Sequence, residues 1–339
     1  MSDLAAPATA GTRPPRRAAA ALVALLPVLV LCSRPDSVAA LVDPGSAGTA
    51  AQDPAPQQLG PRLRLRLSGN LEGRLEPCGC ASGQLGGLAR RAFYLQLDPD
   101  YDLLIEGGNL VTGGTPLDAQ KLEAALAVLD MRGYQVLGLG ARDFDLPIED
   151  LAMYLGGYRM VAVASDLVEK APAEGGEAFP TKVFYDHDGT PKARVASLVL
   201  HLPDGPAKDR FTLLPPQEAW QRAMEGSGDR LRLLLVHGTG EEVRAAAAYT
   251  PKPDLVIGVS NAFPEPPHAA EEVGGVPVVF TGVRGRMLLD VALARRAGDG
   301  VPILPRYEVI ALAGSKTAPG AGEDRAARGL ILEHRQQVK

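Results

Sequence analysis

Arg62-Leu-Arg-Leu-Arg-Leu-Ser-Gly-Asn-Leu-Glu-Gly-Arg-Leu-Glu-Pro-Cys-Gly-Cys-Ala-Ser-Gly-Gln-Leu-Gly-Gly-Leu-Ala-Arg-Arg91 is the stretch that decides the fold. Its opening alternates with period two, which predicts a strand with Leu63, Leu65 and Leu67 on the buried face. Its end opens a helical pattern over residues 88–97. The chemistry-bearing residues, Asn70, Glu72, Cys78 and Cys80, begin where the strand stops.

Outward from there the alternation continues. Residues 101–106 form a buried strand that runs into Gly107-Gly-Asn-Leu-Val-Thr-Gly-Gly114. Leu122, Ala125, Leu126 and Leu129 give residues 116–132 helical spacing, and residues 134–140 return to strand. A helix over 146–155 and a strand over 160–164 complete a strand-helix series of the α/β kind. Residues 181–202 predict a hairpin turning at Asp188-Gly189, a pair that tolerates positive backbone torsions. Beyond it come a helix over 217–224, a strand over 231–236, a helix over 241–249 and strands near 255–259, 276–281, 287–294 and 307–312. The tail from 313 predicts a loose end or a surface helix.

At 339 residues and 46% hydrophobic the chain can bury a full core. A net charge of -5 without a dense Lys/Arg cluster gives no electrostatic footprint for nucleic acid, which is not expected as a partner. Residues 1–39 read as a signal peptide: Arg13, Arg16 and Arg17 precede an apolar run from Ala18 to Cys32, and Ser37-Val-Ala39 offers small residues for cleavage. The run is shorter than the roughly 20 residues that span a bilayer. The expectation is therefore an exported protein, periplasmic or extracellular, which meets a membrane only through an uncleaved leader or through lipidation at Cys32. Residues 40–61, rich in Ala, Pro, Gly and Gln, predict a flexible linker.

Several strand ends carry recognisable signatures: Asn70-Leu-Glu72-Gly73-Arg74-Leu75, Gly86-Gly87-Leu88-Ala89-Arg90, Gly108-Asn109, Gly140-Ala141-Arg142-Asp143-Phe144-Asp145, Val236-His237-Gly238 and Gly258-Val259-Ser260-Asn261. In this frame residues 62–312 resemble the 5'-nucleotidase and UDP-sugar hydrolase (UshA-like) branch of the calcineurin-like metallophosphatases. Pro77-Cys-Gly-Cys80 is further similar to a subgroup of UshA-like (seleno)proteins. The resemblance implies a single-domain α/β fold, a metallophosphatase-like layered α/β/β/α sandwich, and a two-metal centre that clamps phosphate and supplies hydroxide. The residues depart from that chemistry. Asn70 and Glu72 stand at the first Asp and His positions, Asn109 at the bridging carboxylate, Arg142 at the catalytic imidazole, and Val259 and Asn261 at the paired His. His237 alone matches a usual ligand, and a guanidinium offers no lone pair to a metal. A two-metal centre is therefore not expected.

The residues themselves leave three readings open. Cys78 and Cys80 precede a helix start that favours thiolate, which suits a thiol-redox site with an unidentified redox partner; the same pair also suits a static disulfide or plain packing. With His237 and Glu72 the two thiols could hold a single zinc or copper ion. Arg142 and Asn109, with nearby amides, suit a small anionic ligand, or Arg142 pairs with Asp143, Asp145 or Glu72. The leading expectation is a pseudo-phosphatase with a Cys-x-Cys redox or metal site. Its alternatives are a metal-dependent 5'-nucleotidase or phosphoesterase and a non-catalytic anion- or protein-binding module. His187, His201, His268 and His334 read as ordinary surface residues.

Overall fold

The structure is a computed structural model that describes residues 59–77, 84–170, 178–313 and 322–337. The leader, most of the linker, Cys32, Cys78 and Cys80 lie outside the described residues, as does the side chain of His334.

In chain order the elements are β1 (Leu63–Ser68), α1 (Leu88–Leu97), β2 (Leu103–Glu106), α2 (Pro116–Met131), β3 (Val136–Gly138), a 3-10 turn (Ala141–Asp145), α3 (Ile148–Gly156), β4 (Val161–Val163) and β5 (Leu167–Glu169). They continue with β6 (Tyr185–His187), β7 (Ala193–Leu198), α4 (Pro206–Arg210), β8 (Phe211–Leu213), α5 (Pro216–Met224), β9 (Leu231–Val236), α6 (Gly240–Ala245) and β10 (Leu255–Gly258). The last are β11 (Glu271–Val273), β12 (Val276–Phe280), β13 (Met287–Arg295), β14 (Pro302–Ala311) and α7 (Arg325–Gln337).

Two six-stranded sheets stack face to face, in the orders β14-β13-β1-β2-β3-β4 and β11-β12-β10-β9-β7-β6. Each has a core of four parallel strands, β1 to β4 in one and β12, β10, β9 and β7 in the other, with antiparallel strands outside. The apolar layer between them holds Leu63, Leu65 and Leu67 of β1 together with Leu233, Leu235 and Ile257 of the second sheet. A second apolar layer joins α1, α2, α3 and α7 to the first sheet. A third packs Trp220 of α5 and Val243 of α6 on the second. The architecture is thus a layered α/β/β/α sandwich.

Local chemistry sets the element ends. Thr115 caps α2 by accepting from the Asp118 amide, Asp118 returns a bond to the Thr115 amide, and Pro116 opens the first turn. Gly87, at φ 94°, precedes α1, and a Cβ there would stand 2.9 Å from Pro77 Cδ. Only glycine admits both the torsion and the approach.

One detail differs from the sequence pattern. The alternation in β1 leaves Arg66 on the face opposite the leucines, yet Arg66 is fully buried because the helix layer covers that face. It ion-pairs with Asp98 and Asp290, which a buried cation requires. Of the two expectations for the tail, the surface helix holds where the chain is described: α7 packs on α1 and α2, with Ala327 and Ile331 in the apolar layer. Among the described residues no helix is long and apolar enough to cross a membrane.

Candidate functional site

The parallel strands of both sheets end at one cleft, where open α/β sheets collect ligand-binding groups. A cavity of about 390 Å³ there is lined from the first sheet by Asn70 after β1, Asn109 after β2, and Ala141 and Arg142 after β3. The second sheet contributes His201 after β7, His237, Gly238 and Thr239 after β9, Gly240 and Glu242 of α6, and Val259 to Ala262 after β10.

Asn70 and Asn109 both take left-handed torsions, φ 50° each, which asparagine tolerates better than most residues. Asn70 Nδ2 donates to the Gly282 carbonyl (3.1 Å), and its Oδ1 accepts from Asn109 Nδ2 (2.8 Å). Asn109 Oδ1 in turn accepts from the Arg142 amide (3.2 Å). Asp143 does not line the cavity but braces it from behind. Its buried carboxylate accepts from the amides of Asn109 (2.8 Å), Leu110 (2.7 Å) and Gly140 (2.9 Å), tying the loop after β2 to the loop after β3. Burial pushes Asp143 up to about 6, against the downward pull of those three amides.

His237 is 4% exposed. Its Nε2 lies 3.2 Å from Ser197 Oγ, and its Nδ1 has no hydrogen-bond partner. Burial pulls it down to about 3, so the ring is neutral at physiological pH. A Cβ on Gly140 would stand 2.1 Å from Asn109 Oδ1 and 2.7 Å from His237 Nδ1. Both polar atoms therefore face the same small space above Gly140.

Arg142 is exposed, and among the described residues its guanidinium makes no ion pair. The expected pairing is thus corrected: Asp143 is occupied by backbone amides, Asp145 only feels the Arg142 charge, and Glu72 faces Arg284 at 3.7 Å. Glu72, predicted to line the site, is not part of the cavity wall. Asn70, Asn109, Arg142, His237 and Asn261 do come together. Cys78 and Cys80 lie outside the described residues, so no ligand set can be drawn through them.

His201, read from sequence as an ordinary surface residue, lines the cavity, whereas His187 and His268 do not. Its Nε2 is 3.0 Å from Glu242 Oε1. Glu242 closes a capping box on α6, its Oε2 accepting from the Thr239 amide (2.7 Å) and hydroxyl (3.0 Å). The Thr-x-x-Glu spacing is legible in the sequence, but as a helix cap. The described donors do not fit a pair of divalent cations. Among the described residues no three His, Cys, Asp or Glu side chains converge, and Arg142 adds a fixed positive charge to the same wall.

No protein-family profile matches the chain, and no curated protein matches it in sequence. Solved structures do match. NadN, the NAD nucleotidase of Haemophilus influenzae, is 14% identical, with 81% of this chain and 60% of that one covered at a TM-score of 0.64. A 5'-nucleotidase precursor from Thermus thermophilus is 20% identical, with 82% and 59% covered at 0.62. The calcineurin-like phosphoesterase YfkN of Bacillus subtilis is 17% identical, with 83% and 98% covered at 0.59. The chain spans about three fifths of the length of the two nucleotidases. With two facing sheets flanked by helices and a cleft at their shared strand ends, this protein has the fold of the calcineurin-like phosphoesterases and 5'-nucleotidases.

Proposed function

We propose that the cleft binds a small oxyanion of the phosphate class without a two-metal centre, and that the protein is a pseudo-phosphatase at this site. The observation that carries this reading is Arg142: a guanidinium free of ion pairs among the described residues, on the wall of a cavity whose floor holds a neutral His237. A guanidinium matches phosphate geometry and holds its charge at any working pH. The leader-like residues 1–39 support export.

The test is calorimetric titration of inorganic phosphate into chelator-treated protein. Binding is expected, and Arg142→Met should weaken it about tenfold or more, since a charge-assisted pair contributes roughly 1.5–3 kcal/mol. A second reading, metal-dependent hydrolysis of nucleotides or phosphate esters, is favoured by the nucleotidase and phosphoesterase neighbours. Turnover of UMP, a UDP-sugar or a generic phosphate ester that requires manganese, cobalt or zinc and disappears in His237→Ala would replace the first reading with this one. The thiol reading of Cys78 and Cys80 draws no support from the described residues. Thiol titration before and after mild reduction, with metal content on the same sample, tests it.

A further inference from the structure

The charged groups on the cavity wall are few, and they sit on opposite sheets. Arg142 follows β3 of the first sheet; Glu242, with His201 on its Oε1, belongs to the second. Amide and hydroxyl donors of Thr239 pull Glu242 below the usual carboxylate range, so it remains ionised beside the cavity. A carboxylate oxygen accepts two hydrogen bonds. Oε2 takes both of its bonds from Thr239, whereas Oε1 takes one, from His201, and keeps a lone pair.

This wall is built rather than incidental. A Cβ on Gly238 would stand 2.7 Å from Glu242 Oε2 and 3.0 Å from Leu200 Cδ1, so the bare glycine is what lets both side chains close over the loop. Leu200 itself is left-handed, φ 60°, an uncommon and strained torsion for a bulky residue. The fully buried Asp166 holds it there by accepting from the amides of Val199 (2.9 Å) and Leu200 (2.8 Å), and His201 follows directly. A second polar feature of the same cavity also awaits a partner: the buried, unbonded Nδ1 of His237.

Resting on the oxyanion reading above, we infer that the cleft selects a small zwitterion, with its oxyanion at Arg142 and a primary ammonium at the open lone pair of Glu242 Oε1. Inorganic phosphate satisfies one pole and leaves the carboxylate unmatched. A ligand that carries an ammonium as well as its phosphate offers a partner to each. His201 is then a specificity-determining residue, sharing the carboxylate with the ligand.

The experiment compares three probes by calorimetry on the wild-type protein: inorganic phosphate, 2-aminoethyl phosphate and 2-hydroxyethyl phosphate, which matches the amine in length but carries no positive charge. The aminoethyl ester should bind about twofold to fivefold tighter than the hydroxyethyl ester, the effect of one charge pair at a carboxylate that remains 37% exposed. Glu242→Gln, which still supplies a capping oxygen to Thr239, should bring the two esters to equal affinity. Equal affinity in the wild type, or a preference for the amine that persists in Glu242→Gln, overturns the two-pole inference and leaves the oxyanion site standing. If none of the probes binds, the oxyanion reading falls and this one with it. The wild-type comparison decides even if the variant fails to fold.

Discussion

Gly108→Ala should lower the melting temperature by roughly 10 °C, where Gly133→Ala lowers it by only a few degrees. Both glycines are left-handed, at φ 83° and φ 75°, so alanine incurs about 1 kcal/mol of backbone strain at either. They differ in surroundings. Nothing lies within 4 Å of a Cβ on Gly133, whereas one on Gly108 would stand 2.1 Å from the Gly138 carbonyl oxygen. That oxygen is backbone at the end of β3, in a sheet interior that cannot give way by an ångström without breaking register with β4. The added cost is about 3 kcal/mol or more, and each kcal/mol shifts the midpoint about 2–4 °C in a domain of this size. Thermal unfolding of the two variants side by side checks it; equal losses would mean that the loop after β2 is free to move away from β3.

His237 and Asp143 should impose opposite pH dependences on stability. The ring's ordinary value of 6.5 falls to about 3 in the folded protein. Its contribution is therefore fully present above 6.5 and is lost as pH falls toward 3, by about 1.4 kcal/mol per pH unit. The Asp143 carboxyl rises from 3.8 to about 6. Its contribution is present below 3.8 and is lost as pH rises through 6, with the same slope and the opposite sign. Between about pH 4 and 6 the two cancel. Urea unfolding of two variants beside the wild type across pH 4.5–7.5 separates them. The stability of His237→Gln relative to wild type should climb as pH falls below 6.5, whereas that of Asp143→Asn should drop as pH falls below 6. Flat difference curves for both variants would show that neither group is held away from its solution value.

The helices and parallel strands were legible because each carries its own local signal. The helical spacing over residues 88–97 returns as α1 with the same bounds, and the Asp188-Gly189 turn does join β6 to β7. The strands missed, β5, β8 and β11, are three residues long and mostly half-buried, with no buried apolar run to mark them. β14 starts at Pro302 rather than near Tyr307, since an edge strand with Pro302 and Pro305 and little burial has no alternation to read. At the site, Asn70, Asn109, Arg142, His237 and Asn261 were legible through the family resemblance that the strand-end signatures carry, and they line one cavity. His201 was not. It reaches the cleft because β7 pairs in parallel with β9, a long-range choice that leaves no mark on the sequence around residue 201. The free guanidinium of Arg142 was equally hidden, for it depends on Asp143 spending its oxygens on three backbone amides from two loops.

Among the described residues, the non-glycine positions with left-handed backbone are Asn70, Glu72, Asn109, Leu200 and Arg284. Two line the cavity, one carries His201 to its edge, and the remaining two face each other across the neighbouring loops. Such torsions cost on the order of 1 kcal/mol each, and glycine relieves them. A laboratory evolution campaign that rewarded heat resistance alone should therefore enrich glycine at positions 72, 200 and 284. Its survivors would be sturdier proteins with slackened loops around the cleft, and the order in which those glycines arose would record which loop the binding geometry had been holding hardest against its own preference.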